Sequence, residues 1–182
     1  MDDNIETHTF LYFAYGSNLL KERLQLKNPS ASIHCVARLK DYKLIFGNYK
    51  GLASDRWHGG VATIENSPAD EVWGVVWRMN VADLESLDSQ ENVRLGAYSP
   101  VEVNVKTRGQ ELNCRTYIMN SCIYAPPSPQ YLKVTHLLFH SFPPPFYLYL
   151  SLSHTLALSH THSHFLNLFM SLLFQINLRT WT

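Results

Sequence analysis

Two stretches carry residue types whose spacing suits chemistry. The first is Phe13-Ala14-Tyr15-Gly16-Ser17-Asn18. It turns an apolar segment toward a helix start, where backbone N–H groups lack intrahelical partners. Such groups suit a carboxylate or a developing oxyanion. Gly16 allows close approach of a ligand to the backbone, or a left-handed conformation, and Ser17 and Asn18 add short polar groups. On the residues alone, a plain capped turn stays open as the other reading. Ser17 has no neighbouring base, and the sequence holds neither a Gly-x-Ser-x-Gly elbow nor a partnering His-Asp arrangement. The second stretch is the acidic group Asp83, Glu85, Asp88 and Glu91. Carboxylates in such groups mostly form a solvated helix face. Glu91 differs because it ends the helix, just before Asn92-Val93. From there it can project into a cleft, where burial raises a carboxyl above its reference of about 4.3 toward useful base strength.

The remaining motifs promise less. Trp57-His58-Gly59-Gly60 reads as a turn or core segment, and no second His or Cys stands at metal-ligand spacing in the globular part, so no metal is assigned. Cys35, Cys114 and Cys122 are an odd number without CxxC spacing, which fits reduced thiols in the cytosol. The formal net charge of zero offers no nucleic-acid or membrane-seeking surface. The first residues, Met1-Asp2-Asp3-Asn4-Ile5-Glu6, are too polar for a signal peptide.

The elements that must position these residues can be read from periodicity. Residues 9–15 form an apolar and aromatic run, predicting a buried strand, and Asn18 is placed to cap a helix from Leu19 to Leu26, stopped by Asn28-Pro29-Ser30. Further strands are predicted at 34–46, 60–65, 71–79, 101–107 and 112–119. Gly109 turns one of the last two into the other. A helix at 81–91 sets Leu84 and Leu87 inward. Strands outnumber helices and several look hairpin-linked, so the fold class is α+β with a curled, partly closed sheet. Residues 125–131 (Ala-Pro-Pro-Ser-Pro-Gln-Tyr) form a stiff extended connector ending on Tyr131.

The 182 residues suggest one domain by size, but the composition breaks near Val134. After Lys133 the one charged residue is Arg179, and His136, His140, His154, His160, His162 and His164 fall among Ser, Leu and Phe. Helical caps and steady periodicity are missing there. The longest apolar stretch, 165–174, contains Asn167 and Ser171 and falls well short of the roughly 20 residues of a membrane span. The tail histidines suit adventitious binding of a soft metal. The expected organisation is a flexible N-terminus at 1–8, a domain at 9–134, and a poorly ordered tail at 135–182.

The ordered set of motifs resembles the γ-glutamylcyclotransferase family. The run Leu11-Tyr12-Phe13-Ala14-Tyr15-Gly16-Ser17-Asn18-Leu19-Leu20 is similar to its substrate-binding signature. Asn28-Pro29-Ser30-Ala31, Cys35-Val36-Ala37-Arg38-Leu39, Trp57-His58-Gly59-Gly60, Asp70-Glu71-Val72-Trp73-Gly74-Val75-Val76-Trp77 and the 125–131 segment are similar to the vertebrate form. The resemblance spans about residues 8–134. It implies a small mixed β-barrel with flanking helices and a cytosolic homodimer of glutathione metabolism. It also implies conversion of γ-glutamyl amino acids to 5-oxoproline and a free amino acid, without metal or organic cofactor. Its catalytic glutamate, in a Leu-Asp-x-Gln-Glu segment, falls on Glu91. Its substrate-binding turn falls on Tyr12, Phe13, Ala14, Tyr15, Gly16 and Ser17, and its further substrate-contacting tyrosine on Tyr131.

The sequence departs from the family after Val134, where a polar, charged segment with a C-terminal helix is the family pattern. The Ser/His/Leu/Phe tail looks like translated non-coding sequence, such as a retained intron or alternative exon. Two other readings therefore stand beside the active enzyme. One is a catalytically inactive, unstable isoform acting at most as a binding module. The other is a cyclotransferase for γ-glutamylamines or glutathione.

Overall fold

A computed structural model of the protein describes residues 8–131. The expectations for residues 1–7 and for the tail at 135–182 lie outside the described residues. The apolar run near the N-terminus becomes β1 (Thr9–Ala14). It lies antiparallel to β3 (Val61–Asn80), with Phe13 opposite Val76, and parallel to β5 (Gln110–Met119) at Tyr12 and Arg115. With neighbours on both edges and both faces covered, its last residues are fully apolar or aromatic for a physical reason: Tyr12, Phe13 and Ala14 are all buried.

The barrel is built by two long strands. β2 (Ser32–Tyr49) and β3 run antiparallel from Ser32 opposite Arg78 to Gly47 opposite Val61. The sheet order is β3-β1-β5-β4-β2-β6, with β4 at Tyr98–Thr107 and β6 at Cys122–Tyr124, and β2 pairs back onto β3 to close it. The result is a small mixed barrel with few helices, as expected for the α+β class. The separate strands expected at 60–65 and 71–79 are one continuous strand. Pro68 and Ala69 do not break it because the partner strand bends in step. β2 shifts register between Lys40 and Tyr42, Asp41 and Ala69 take left-handed φ of 63° and 70°, and the Ala69 N–H donates to the Asp41 carboxylate at 3.1 Å. Gly109 turns β4 into β5 with φ of 83°.

The helices pack outside the barrel. A 3₁₀ turn over Val81–Asp83 leads into α2 (Leu84–Gln90). The Asn80 side chain accepts from the Ala82 N–H at 2.9 Å at its start. Leu87 is fully buried and Leu84 half-buried, with Leu87 packed with Leu24, Trp77 and Met79 against the outer face of β1 and β3. The inner cluster of Phe13, Leu39, Phe46, Ile64, Val76 and Val105 fills the barrel.

The first helix differs from expectation. Ser17–Leu19 is a 3₁₀ turn, and α1 spans Lys21–Gln25 after an extended Leu20. Asn18 caps nothing: its amide is drawn into a buried polar network, where it meets a carboxylate. A hydrogen bond to a charged acceptor outweighs one to a helix N–H. The proline-rich connector also does more than extend. The Gly60 N–H donates to Pro126 O at 2.8 Å and the Ser128 N–H to Gly60 O at 2.9 Å, and a helical turn opens at 129–131. Pro129 occupies the first helical position, where its missing N–H costs nothing.

Candidate active site

α2 ends at Glu91, whose N–H donates to Leu87 O at 3.0 Å. The Asn18 amide donates to Glu91 Oε1 at 2.8 Å and to the Tyr12 hydroxyl at 3.1 Å. Its orientation is set from behind: Gln90 Nε2 donates to Asn18 Oδ1 at 2.7 Å, and Asn28 Nδ2 donates to Gln90 Oε1 at 3.1 Å. Asn18 and Asn28 are buried, so this chain of amides is shielded from competing water. It leaves Asn18 with donors facing the carboxylate.

Burial pushes the Glu91 carboxyl up to about 7, the dominant influence, while the Asn18 hydrogen bond and the nearby Arg23 charge pull it down. A carboxylate there is a usable base at neutral pH. The other three acidic residues are occupied elsewhere. Asp83 accepts from the Ser30 N–H and hydroxyl, Glu85 pairs with Arg94, and Asp88 takes Arg115 and the Tyr117 hydroxyl. Glu91 alone of the four lines the central cavity, a space of about 400 Å³.

The opposite wall is the 15–17 turn and Tyr131. Tyr131 is placed by its helical turn, since its N–H donates to the buried Ser128 hydroxyl at 2.9 Å. Its ring meets Phe46 edge-on at 5.4 Å and Trp57 at 5.3 Å. Its phenol hydrogen-bonds with the Ser17 backbone and side chain, and burial, then the Glu91 charge, raise it far above the ordinary tyrosine value. Gly16 is required by space alone, because a Cβ there would sit 2.3 Å from the Tyr131 hydroxyl. Its φ of −124° makes no use of the left-handed region. Tyr15 donates to Tyr117 O and Tyr98 to Ala62 O at 2.9 Å, and desolvation holds both phenols protonated.

The structure thus brings Tyr12, Tyr15, Gly16, Ser17, Glu91 and Tyr131 around one cavity. Phe13 and Ala14 do not line it. Their side chains point into the barrel core and the outer helix-facing layer, so they shape the turn from beneath. His58 is exposed in a turn with φ of 52°. Among the described residues no three His, Cys, Asp or Glu side chains gather into a metal site, and no helix is long and apolar enough to cross a membrane.

Sequence reasoning counted Asn18 among the polar groups of the turn but gave it a helix cap's role, and missed Gln90 and Arg23 as lining groups. The Asn18 amide was hidden by its plausible local role as a cap. Gln90 carried a signal, since it precedes Glu91 and belongs to the same segment. An arginine inside a short amphipathic helix carries none.

The model of the AIG2-like family matches residues 71–136. The γ-glutamylcyclotransferase of Mus musculus is 62% identical over 130 residues, covering 71% of this chain and 69% of that protein. The Homo sapiens γ-glutamylcyclotransferase is 59% identical over the same length and shares. A solved γ-glutamyl cyclotransferase structure matches with a TM-score of 0.68 at 59% identity, covering 70% of this chain and 76% of that one. The chain belongs to the γ-glutamylcyclotransferase family.

Proposed function

We propose that this protein cyclises γ-glutamyl amino acids to 5-oxoproline and releases the free amino acid, with Glu91 as general base and then general acid. The observation that carries the reading is the Glu91 carboxyl, raised to about 7 and set in the same cavity as the 15–17 turn and Tyr131. The substrate's α-ammonium, with a reference pKa of about 7.7–8.0, is not nucleophilic until it loses a proton. Glu91 takes that proton. The amine then attacks the γ-carbonyl, forming the new C–N bond of the five-membered ring. The tetrahedral oxyanion collapses, and the original amide C–N bond breaks as the proton held on Glu91 passes to the departing amine. The ring nitrogen then gives up its second proton through the re-ionised Glu91, leaving a neutral lactam and an ammonium on the released amino acid. Atoms balance without a covalent enzyme intermediate.

The turn and the Tyr131 phenol hold the glutamyl end, so that amine and carbonyl lie about 3–3.5 Å apart. Holding them there supplies much of the acceleration. A neutral phenol is a hydrogen-bond donor, and the strong desolvation of Tyr131 keeps it one at neutral pH. With this reading go a domain at 9–134, a cytosolic location, a homodimer, and no metal or organic cofactor, all drawn from the family resemblance. Light scattering on the purified chain checks the dimer.

The test is release of 5-oxoproline from γ-glutamyl-alanine. Turnover is expected, with a loss of at least about a hundredfold in Glu91→Gln. Lack of product from a monodisperse, cooperatively melting sample removes the activity. Full turnover by Glu91→Gln removes Glu91 as the base.

A further inference from the structure

The cavity holds more positive charge than the glutamyl chemistry uses. Against the single carboxylate of Glu91 it is lined by Arg23, Lys27 and Arg56. Arg23 stands out among the three. It projects from α1 and is half-buried, and its Nε is buried without a hydrogen-bond partner. Its guanidinium lies 5.0 Å from the centre of the Trp57 ring, and that of Arg56 lies 5.9 Å from the same ring. Among the described residues neither arginine makes a salt bridge, whereas Arg38, Arg94 and Arg115 each pair with a carboxylate. Trp57 in turn packs on Tyr131. The guanidinium is therefore fixed to the same aromatic wall that borders the Gly16 turn.

Two like charges on one indole, one of them partly desolvated, are costly unless an anion joins them. The direction of the Arg23 shift agrees: burial first, then the Arg56 charge, weakens its hold on its proton by more than the nearby Glu91 carboxylate strengthens it. A stacked guanidinium with an unused Nε offers a planar fork, and a carboxylate is the anion that fits one. A γ-glutamyl amino acid carries two carboxylates and one ammonium. One carboxylate belongs to the glutamyl end at the turn. The other belongs to the departing amino acid.

We infer that Arg23, stacked on Trp57 with Arg56 at the rim, receives the α-carboxylate of the departing amino acid and so selects γ-glutamyl amino acids over γ-glutamylamines. This deepens the cyclotransferase reading and rests on it. Arg23 is a specificity residue: it meets the leaving group, not the reacting atoms.

The experiment compares γ-glutamyl-L-alanine with γ-glutamyl-ethylamine, which is the same molecule without the leaving-group carboxylate. The wild-type chain should favour the alanine compound in kcat/KM, mostly through KM. Arg23→Met should shrink that preference by about ten- to a hundredfold. Arg23→Lys, which keeps the charge but loses the fork, should retain an intermediate preference. Equal losses on both substrates would mean a structural role and would overturn the inference, as would an unchanged ratio. Calorimetric binding of both compounds to Glu91→Gln, with and without Arg23→Met, reads the same preference without turnover. A carboxylate-dependent affinity that disappears with Arg23 supports the subsite even if the chain releases no 5-oxoproline. Affinity that ignores the carboxylate overturns it, and so does binding of neither compound, whether or not turnover is found.

Discussion

Glu91 lives with a conflict between stability and work. Desolvation raises its carboxyl to about 7, while the same group in the unfolded chain titrates near 4.5. Between those values the folded protein holds a proton that the unfolded chain has released. Stability from this group is therefore fully present at low pH, falls as pH rises from about 4.5 to 7, and stays lost above. The cost is on the order of 3 kcal/mol. Glu91→Gln removes it, because the amide still accepts the Asn18 hydrogen bond but never ionises. The variant should be more stable than the wild type at pH 8 and nearly equal at pH 4.5, as measured by urea unfolding at both. An advantage independent of pH would reject the buried charge as its cause. The base must be ionised to act, so kcat/KM should fall as pH drops through about 7. Asn18 is the hydrogen-bond donor that lowers Glu91. Asn18→Leu should accordingly move this acid limb to higher pH; a limb that stayed put or moved down would show that Asn18 does not tune the carboxyl. Glu91 was legible in the sequence because it ends a helix in a recognisable segment. The partners that tune it were not, since Asn18 and Arg23 act across 73 and 68 positions of chain.

At the scale of elements, the turn and the proline-rich connector are fitted to one another. Sequence periodicity located β4, β5 and α2 closely because each buries one regular face, and β1 because it is an apolar run buried on both. It divided β3, since no local pattern tells that Ala69 and Asp41 will bend two strands together. It also left the connector as a spacer, where the structure uses Ser128 and Pro129 to start a helical turn that aims Tyr131 at Gly16. The contact is tight enough to test. Gly16→Ala puts a methyl group 2.3 Å from the Tyr131 hydroxyl oxygen but 3.6 Å from the ring carbon that bears it. The substitution should cost about 1–3 kcal/mol by overpacking. Tyr131→Phe deletes the oxygen involved, so Gly16→Ala with Tyr131→Phe should melt close to Tyr131→Phe alone. Turnover should stay low in the pair, because the phenol is gone. Additive destabilisation in this double-mutant cycle would show that Gly16 is needed for some other reason.

For the molecule as a whole, the question is how a closed barrel holds an external helix steadily enough to present a carboxylate at its end. The inner cluster and a curled, partly closed sheet were readable from the apolar pattern, but which strands close the barrel was not, because β2 meets β3, β4 and β6 at separate parts of its length. The tether of α2 to this barrel is partly polar. Arg115 on β5 donates to both Asp88 oxygens at 2.7 and 2.9 Å, and the Tyr117 hydroxyl donates to Asp88 at 2.5 Å. Asp88 lies one helical turn before Glu91, so this cluster fixes the turn that carries the base. The side chains of Arg115 and Asp88 retain 20% and 28% exposure, which moderates the effect of breaking the pair. Asp88→Ala should therefore cost about 1–3 kcal/mol, mainly by leaving a guanidinium and a hydroxyl without their acceptor. Asp88→Asn, which keeps an acceptor, should cost less. The loss should also be local. Amide exchange should speed up at Leu87 to Glu91 in Asp88→Ala while the β4–β5 hairpin, paired over its whole length, keeps its protection. Turnover should fall with the α2 protection and not with global stability, since the base is displaced before the barrel opens. Uniform loss of protection across α2 and β4–β5 would instead show that helix and barrel open as one unit, and that Asp88 contributes only to their common stability.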